Sequence, residues 1–293
     1  MKTFVTVVES EGFTAAARKL DVSLSVVSRV VTELEAHLGV RLLTRTTRVV
    51  RPTETGAAYF ENCKRILGEI EEAELTAAGT HSSPRGTLVV TAPVLFGARH
   101  VTPIVVEYLQ QYPEVMVNCV LVDRNINFID EGVDVGIRIG ELPSSSLQAI
   151  LVGRVRRIVC AAPSYLERHG VPRAPEDLLE HTLIQTTGIS TLAEWRFMDG
   201  GEPRPLRFTP RLATSTNDST ITAAVAGLGL ARVLSYQVAS ELWSGKLRVV
   251  LADYEPAPLP IHVIHREGRH AMQKVRAFLD LAINRLRADR SIN

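Results

Sequence analysis

Apolar positions change their spacing three times along the 293 residues of this chain, and each change marks a different kind of element. Between Phe13 and Leu38 they recur every three or four residues, with one interruption, which predicts two helices separated by a tight turn. Thr14 is the expected N-cap of the first, ahead of Ala15, Ala16, Ala17, Arg18, Lys19 and Leu20. Asp21 ends it, because a sharp turn needs a residue that tolerates positive φ. Ser23 caps the second helix, whose Val27, Val30, Val31 and Leu34 form one apolar face, while Ser25, Ser28, Arg29 and Thr32 form the opposite one. Ala17 falls where two steeply crossing helices touch, and a small side chain permits that approach.

After Gly39 the period shortens. Residues 41–52 contain Arg41, Arg45, Arg48 and Arg51 and no acid, interleaved with the β-formers Thr46, Thr47, Val49 and Val50, which predicts a basic two-stranded wing. A helix with a polar face beside a cationic ribbon is suited to the DNA major groove. Ser25, Ser28 and Arg29 are expected at bases or nearby phosphates, with Ser23, Val26 and Thr32 beside them, and Arg45, Thr46, Arg48 and Arg51 along the backbone. The competing reading is a small helical core with a solvated basic loop. Cap, turn, small residue, apolar stripe and arginine cluster agree in order and spacing, which favours DNA.

The second change opens a long helix from about Thr55 to Thr80, and the third follows it at Thr87. Tyr59, Cys63, Ile66, Ile70, Ala73 and Ala77 step by alternating fours and threes, a heptad seam flanked by Glu61, Lys64, Arg65, Glu69, Glu71 and Glu72. An amphipathic helix packed on its own domain would show the same stripe. Residues 80–86, THSSPRG, read as a hinge. Beyond it come a strand from Thr87, a helix to about Gln111, a strand Val115–Asp123, a short helix near Asn127–Glu131 and a strand Asp134–Ile139, an α/β layer over a mostly parallel sheet. A second such unit has strands at Ile158–Ala162, Leu183–Gln185 and Leu228–Val233, with helices near Glu176–Leu179 and Asp218–Ala226. The last helix, Met272–Arg287, shows Val275, Phe278, Leu279, Ala282, Ile283 and Leu286 on one face.

Composition narrows the function classes. Apolar residues at 45% and charged ones at 22% describe a folded soluble chain, and a net charge of only +1 makes the local arginines, not a global field, the source of DNA affinity. No apolar run approaches the roughly 20 residues that span a bilayer and no signal-peptide core is present, so a cytoplasmic location is expected, with no membrane partner. Cys63, Cys119 and Cys160 form no C-x-x-C pair, which argues against a metal site or disulfide framework. Cys119 and Cys160 lie in apolar strand-like runs, where a thiol is a small buried hydrophobe. His262, His265 and His270 lack metal-ligand spacing and read as surface or hinge residues. Residues 226–231, AGLGLA, read as a glycine-punctuated helix end leading into a strand, and no catalytic group set assembles, so neither an enzyme nor a cofactor is expected.

The runs FTAAARKL, TELEAHLGVRLL and PTETG, and further on RIGELPSSSL, CAAPSYLERHGVPRAPEDLLEHTLI, STNDSTITAAVAGLGLA and VRAFLDLAINRL, make the whole chain resemble the LysR-type transcriptional regulators. The resemblance implies an α/β fold with an N-terminal winged helix-turn-helix (1–56), a dimerising linker helix and hinge (57–86), and a bilobed, periplasmic-binding-protein-like (type II) effector domain of two Rossmann-like subdomains (87–293). Lobe I is then 87–162 plus 267–293 and lobe II 163–266, with crossovers near Pro163 and His265–Gly268 and the last helix on lobe I. It also implies a homodimer or homotetramer on inverted-repeat double-stranded DNA, RNA polymerase as a partner, and a small-molecule effector, often a carboxylate, in the cleft between lobes. Redox sensing through Cys119 and Cys160 would follow some relatives. The cleft lining falls on Ala92 to Arg99, with Pro93, Val94, Phe96 and Gly97 foremost, on Arg138 as a carboxylate grip, and on Ser215 to Ser219, with Thr216, Asn217 and Asp218 foremost. Two alternatives stay beside it: an ion pair of Arg138 with Asp134 or Glu141, and plain helix capping at 215–219. Phe96 is either pocket wall or core. Two features depart from the family. Leu24 stands where many members carry Gln, which leaves base readout there open, and the chain opens just before Phe4, so either a first helix shorter than usual or a misassigned start is expected. The rival function is a solute-binding receptor module without DNA binding.

Overall fold

The structure, a computed structural model, describes residues 1–45, 50–77, 83–128, 130–142, 147–186, 193–266 and 272–292. They form two compact units, Met1–Thr87 and Leu88–Asn293.

In the first unit α1 (Lys2–Glu9), α2 (Phe13–Leu20) and α3 (Leu24–Leu38) enclose a core of Phe4, Val5, Val7, Ala16, Ala17, Val27 and Val31. Helix α2 starts from Gly12, not Thr14, because the Gly12 carbonyl already accepts the Ala16 N–H at 3.1 Å and leaves Thr14 inside the first turn. Asp21 does adopt the left-handed conformation, at φ 54° and ψ 44°, and the Ser23 hydroxyl accepts the Val26 N–H at 3.4 Å as the cap of α3. Val27 and Val31 are fully buried, whereas Val30 and Leu34 are half-buried. After Gly39 (φ 68°) the chain forms the wing, β1 (Leu43–Arg45) antiparallel to β2 (Val50–Pro52), with Leu43 opposite Pro52.

Two contacts dock the wing. Glu35 of α3 accepts the N–H groups of Leu42 (2.8 Å) and Leu43 (3.0 Å) on one carboxylate oxygen. Gly56, in the first turn of α4 (Glu54–Ala77), lies so close to Leu42 that a Cβ there would be 1.9 Å from its carbonyl oxygen. The stripe expected as a dimer seam is divided. Tyr59 and Cys63 pack into the unit's own core with Phe60 and Leu67, and Tyr59 meets the Phe4 ring at 5.6 Å. Ile66 is half-buried and Ile70 is 47% exposed, while the side chains of Ala73 and Ala77 lie outside the described residues.

The second unit begins within β3 (Gly86–Ala92), so the expected hinge loses its last residue to a strand, and its residues 80–82 lie outside the described set. Next come α5 (Val94–Phe96), a π-helical turn (Gly97–Val101), α6 (Thr102–Gln111), β4 (Val115–Leu121), β5 (Val135–Ile139) and β6 (Gln148–Val155). The helix expected at Asn127–Glu131 is a turn in which the Asn127 side chain holds Asp130 at 2.6 Å, Ile129 lying outside the described residues. Then follow β7 (Arg157–Ala161), α7 (Pro163–His169), a 3₁₀ turn (Pro175–Glu180), β8 (Leu183–Thr186), β9 (Glu194–Asp199), β10 (Glu202–Arg207), β11 (Leu212–Thr214), α8 (Asn217–Val225) and β12 (Leu230–Leu234). After a 3₁₀ turn (Ser235–Val238) the chain closes with α9 (Ala239–Trp243), β13 (Arg248–Val250), β14 (Leu259–His265) and α10 (Gln273–Ala288).

Among the described residues the strands of this unit form two mixed five-stranded sheets, β4-β3-β5-β14-β6 and β11-β8-β12-β7-β13, and a separate antiparallel hairpin, β9-β10. The crossovers therefore fall at Arg156 and within 251–258, earlier than Pro163 and His265–Gly268: β7 belongs to lobe II and β14 to lobe I. The chain leaves lobe I along β6 and returns along β14, and these neighbours must run antiparallel, which is why the sheet is not mostly parallel. Helix α10 packs Val275, Phe278, Leu279, Ala282 and Leu286 into the lobe I core with Leu88, Val90 and Tyr108. Gly227 (φ 76°) and Gly229, whose Cβ would meet the Thr182 carbonyl oxygen at 2.2 Å, make the turn from α8 into β12.

Gly56→Ala is expected to destabilise the first unit by about 1–3 kcal/mol through overpacking against the Leu42 carbonyl, read as faster hydrogen exchange of α3 amides. Glu35→Ala strands two N–H donors of buried residues at a cost of about 1–3 kcal/mol, and the same measurement shows the loss concentrated in the wing.

Candidate nucleic-acid interface and effector cleft

Burial of Val27 and Val31 fixes which side of α3 faces out: Ser25, Arg29 and Thr32 are exposed, and Val26 and Ser28 are half-buried. The hydroxyls are partly engaged. Ser23 and Ser25 share a hydrogen bond of 2.9 Å, and Thr32 donates to the Ser28 carbonyl at 2.8 Å. Arg29 lies 3.7 Å from Glu33, but both side chains are more than two-thirds exposed, so water screens the pair and the guanidinium stays available. Arg51 is exposed on β2. Thr46 and Arg48 lie outside the described residues, as does the side chain of Arg45. Sequence reasoning missed Glu35 as the wing's anchor and Ala16, fully buried beside Ala17.

In the second unit the lobes meet at α5 and the turn after it. Leu95 packs among lobe II residues Ile158, Ile184 and Ile221, and Tyr236 packs in the lobe I core, edge-on to Phe96 at 5.2 Å. Burial pushes the Tyr236 phenol up to about 12. Arg99 donates to the Gln237 carbonyl at 2.6 Å and stands 3.9 Å from Asp218. Arg99 ends the stretch expected to line the cleft, whereas Tyr236 and Gln237 were not expected there.

Of the expected lining, Phe96 is core, with no exposed surface. Gly97 is also buried, where a Cβ would reach within 2.3 Å of the Leu121 side chain. Val94 is 43% exposed, its N–H held by Asp123 at 3.0 Å, and Pro93 is half-buried beside it. Thr216 caps α8 by accepting the Ser219 N–H at 3.3 Å, the capping alternative. Asn217 accepts from Thr186 at 3.3 Å, and below it the hydroxyls of Thr186 and Thr214 each lie 2.8 Å from that of Thr220. Arg138 pairs with neither Asp134 nor Glu141. It donates to the Ile137 carbonyl at 3.2 Å, and its Nη2 is buried with no acceptor among the described residues. Burial lowers its pKa, opposed by the nearby charge of Glu131, which is itself held 2.6 Å from Arg124. No described contact brings Arg138 to the Thr216–Asp218 turn.

The remaining polar candidates are structural. His262 and His265 lie in β14 within the lobe I sheet, half-buried and buried, not at a surface or hinge, and His270 lies outside the described residues. Cys160 is buried and its thiol is pushed up to about 12 by burial. Cys119, expected to be buried, is exposed on β4 at the edge of lobe I, in a different sheet from Cys160. Arg232, lowered to about 9 by burial and then by Arg157, lies over the Phe197 ring at 5.3 Å and donates to the Arg196 carbonyl, tying β9 to the lobe II sheet. A groove of about 200 Å³ on lobe I is lined by His100, Ile104, Glu107 and Arg285. Among the described residues no helix is long and apolar enough to cross a membrane.

Comparison with known proteins accounts for both units. Residues 1–57 match the family described as bacterial regulatory helix-turn-helix protein, lysR family, and residues 81–287 match the LysR substrate binding domain. An HTH-type transcriptional regulator of Xanthomonas campestris pv. campestris is 36% identical over 290 residues, 98% of this chain and 84% of the relative. The solved structure of CrgA, a LysR-type transcriptional regulator from Neisseria meningitidis, is similar with a TM-score of 0.63 at 32% identity, over 97% of each chain. The full-length structure of the Vibrio cholerae virulence activator AphB gives 0.64 at 26% identity, again over 97% of each. Regulators of this kind bind DNA and small-molecule effectors, act as oligomers and are not enzymes. The chain therefore belongs to the LysR-type transcriptional regulators, with a helix-turn-helix DNA-binding domain followed by an α/β effector-binding domain.

Proposed function

We propose that this regulator reads its promoter through the exposed face of α3 and holds the phosphates with its wing. Ser25, Ser28 and Arg29 meet base edges or nearby phosphates, with Ser23, Val26 and Thr32 at the margin, and Arg45, Thr46, Arg48 and Arg51 lie along the backbone. The observation that carries the reading is the division of α3: two valines are fully buried, and the serine and arginine side turns outward. Ile66 and Ile70, the part of the α4 stripe not taken up by the unit's own core, form the start of a dimer seam. Pairing there places two heads on an inverted repeat, as a dimer or a dimer of dimers. The protein acts in the cytoplasm and alters the access or activity of RNA polymerase at that promoter.

For the effector we propose a small carboxylate in the lobe cleft, gripped by Arg138 and bounded by Pro93, Val94, Thr216, Asn217 and Asp218. Phe96 and Gly97 support that wall from behind. A half-buried guanidinium with an unpaired nitrogen gains most from an anionic partner, and the bidentate geometry of a carboxylate suits it. Control of transcription then requires that the effector bind one DNA-bound state more tightly than the other.

Arg51→Ala is expected to weaken binding alike on cognate and random duplexes and to reduce the slope of log affinity against log salt by about 1; a loss confined to the cognate site contradicts a backbone role. In a thermal-shift screen of carboxylates followed by calorimetry, the strongest ligand is expected to lose about tenfold or more in affinity on Arg138→Ala, as for a charge-assisted hydrogen bond. Unchanged affinity, or no carboxylate ligand at all, contradicts the assignment.

A further inference from the structure

The first turn of α3 presents an apolar side chain where a recognition helix reads bases. Leu24, the first residue of the helix, is 49% exposed, and it stands one turn before Ser28 at the edge of the polar face. A lone exposed leucine is ordinary on a protein surface. Here its neighbours make it informative. The Ser23 hydroxyl accepts the Val26 N–H and shares a hydrogen bond with Ser25, so both hydroxyls flanking Leu24 are partly engaged in the cap and keep limited capacity for a base edge or phosphate. Neither serine is long enough to make the two simultaneous hydrogen bonds that distinguish one purine from the other. What the first turn adds beyond single hydrogen bonds is therefore a branched hydrocarbon. On the major-groove edge of B-DNA one apolar group is available to match it, the C5-methyl of thymine.

We propose that Leu24 is a specificity-determining residue that reads a thymine methyl in each half-site. The inference rests on α3 being the helix that enters the major groove. It adds a discrimination that hydrogen bonding does not supply: thymine and uracil present the same acceptor O4 and differ in the methyl alone. Removing that methyl removes apolar burial and leaves every hydrogen bond in place.

The test uses the full-length protein and its footprinted duplex, remade with single thymine-to-deoxyuridine replacements at each position of one half-site. Wild type is expected to bind about fourfold more weakly at one such position, the value of one buried methyl group, and by the square of that factor when both half-sites are changed. Leu24→Ala is expected to bind the thymine and uracil duplexes equally. Leu24→Gln is expected to lose the methyl discrimination and to gain preference for adenine at the same position. Because Leu24 is half exposed, both variants should keep the wild-type melting temperature, which separates loss of contact from loss of fold. Indifference of wild type to uracil at every position overturns the proposal, as does a Leu24→Ala variant that still distinguishes the two duplexes. Failure of wild type to bind any duplex strikes instead at α3 as the recognition helix.

Discussion

The close approach of α2 to α3 sets the geometry on which the proposed DNA recognition depends. Ala16 and Ala17 leave room for Val27 and Val31 to be fully buried, and with those two positions inside, the orientation of the remaining α3 side chains follows from 3.6-residue periodicity. A larger residue at 16 or 17 would rotate or lift α3 and move Ser25, Ser28 and Arg29 off their common face. The same frame aims the wing. Glu35 leaves α3 to hold the start of β1, and Gly56 lets α4 pass within backbone distance of Leu42, so helix and ribbon share one frame. With a net charge of +1, the protein has no global attraction to DNA to compensate for a misplaced ribbon.

The effector-binding unit uses reciprocal insertion where the DNA-binding unit uses small residues. Leu95 of lobe I is packed in the lobe II core, and Tyr236 of lobe II is packed in the lobe I core. Together with the Arg99 to Gln237 hydrogen bond, this exchange fixes the lobes at one point and makes it a natural pivot. Arg138, on the C-terminal end of β5, and the hydroxyl network of Thr186, Thr214 and Thr220 beneath α8 lie on opposite lobes, so a ligand that engages both selects a particular lobe separation.

Local signals were legible wherever a single residue determined a backbone conformation. Ser23 as a cap, Asp21 in the left-handed region, the antiparallel wing and the glycines of AGLGLA could all be read from the sequence. The α2 start was misread because a threonine in a first turn looks like a cap, while Gly12 carries no side-chain signal. Non-local features were harder. LPIHVIH reads as a strand, but nothing in its residues says that it rejoins the sheet of β3, so the crossovers were placed too late. The β9–β10 hairpin was signalled by Gly200-Gly201, with φ of 58° and 91°, yet Pro203 and Pro205 obscured its second strand. Tyr59 and Cys63 follow a heptad pattern, and periodicity alone does not distinguish an intramolecular partner from a second chain. Phe96 was undecided for the same reason: wall and core residues are written with the same letters.

The account is tested most directly by dimethyl sulfate footprinting of the protein on the intergenic fragment upstream of its own gene, at a concentration where a gel shift shows the DNA fully bound. Insertion of α3 predicts that guanine N7 atoms, which lie in the major groove, are protected in two patches separated by a whole number of helical turns. Unchanged N7 reactivity on saturated DNA, or protection confined to adenine N3 in the minor groove, would contradict it.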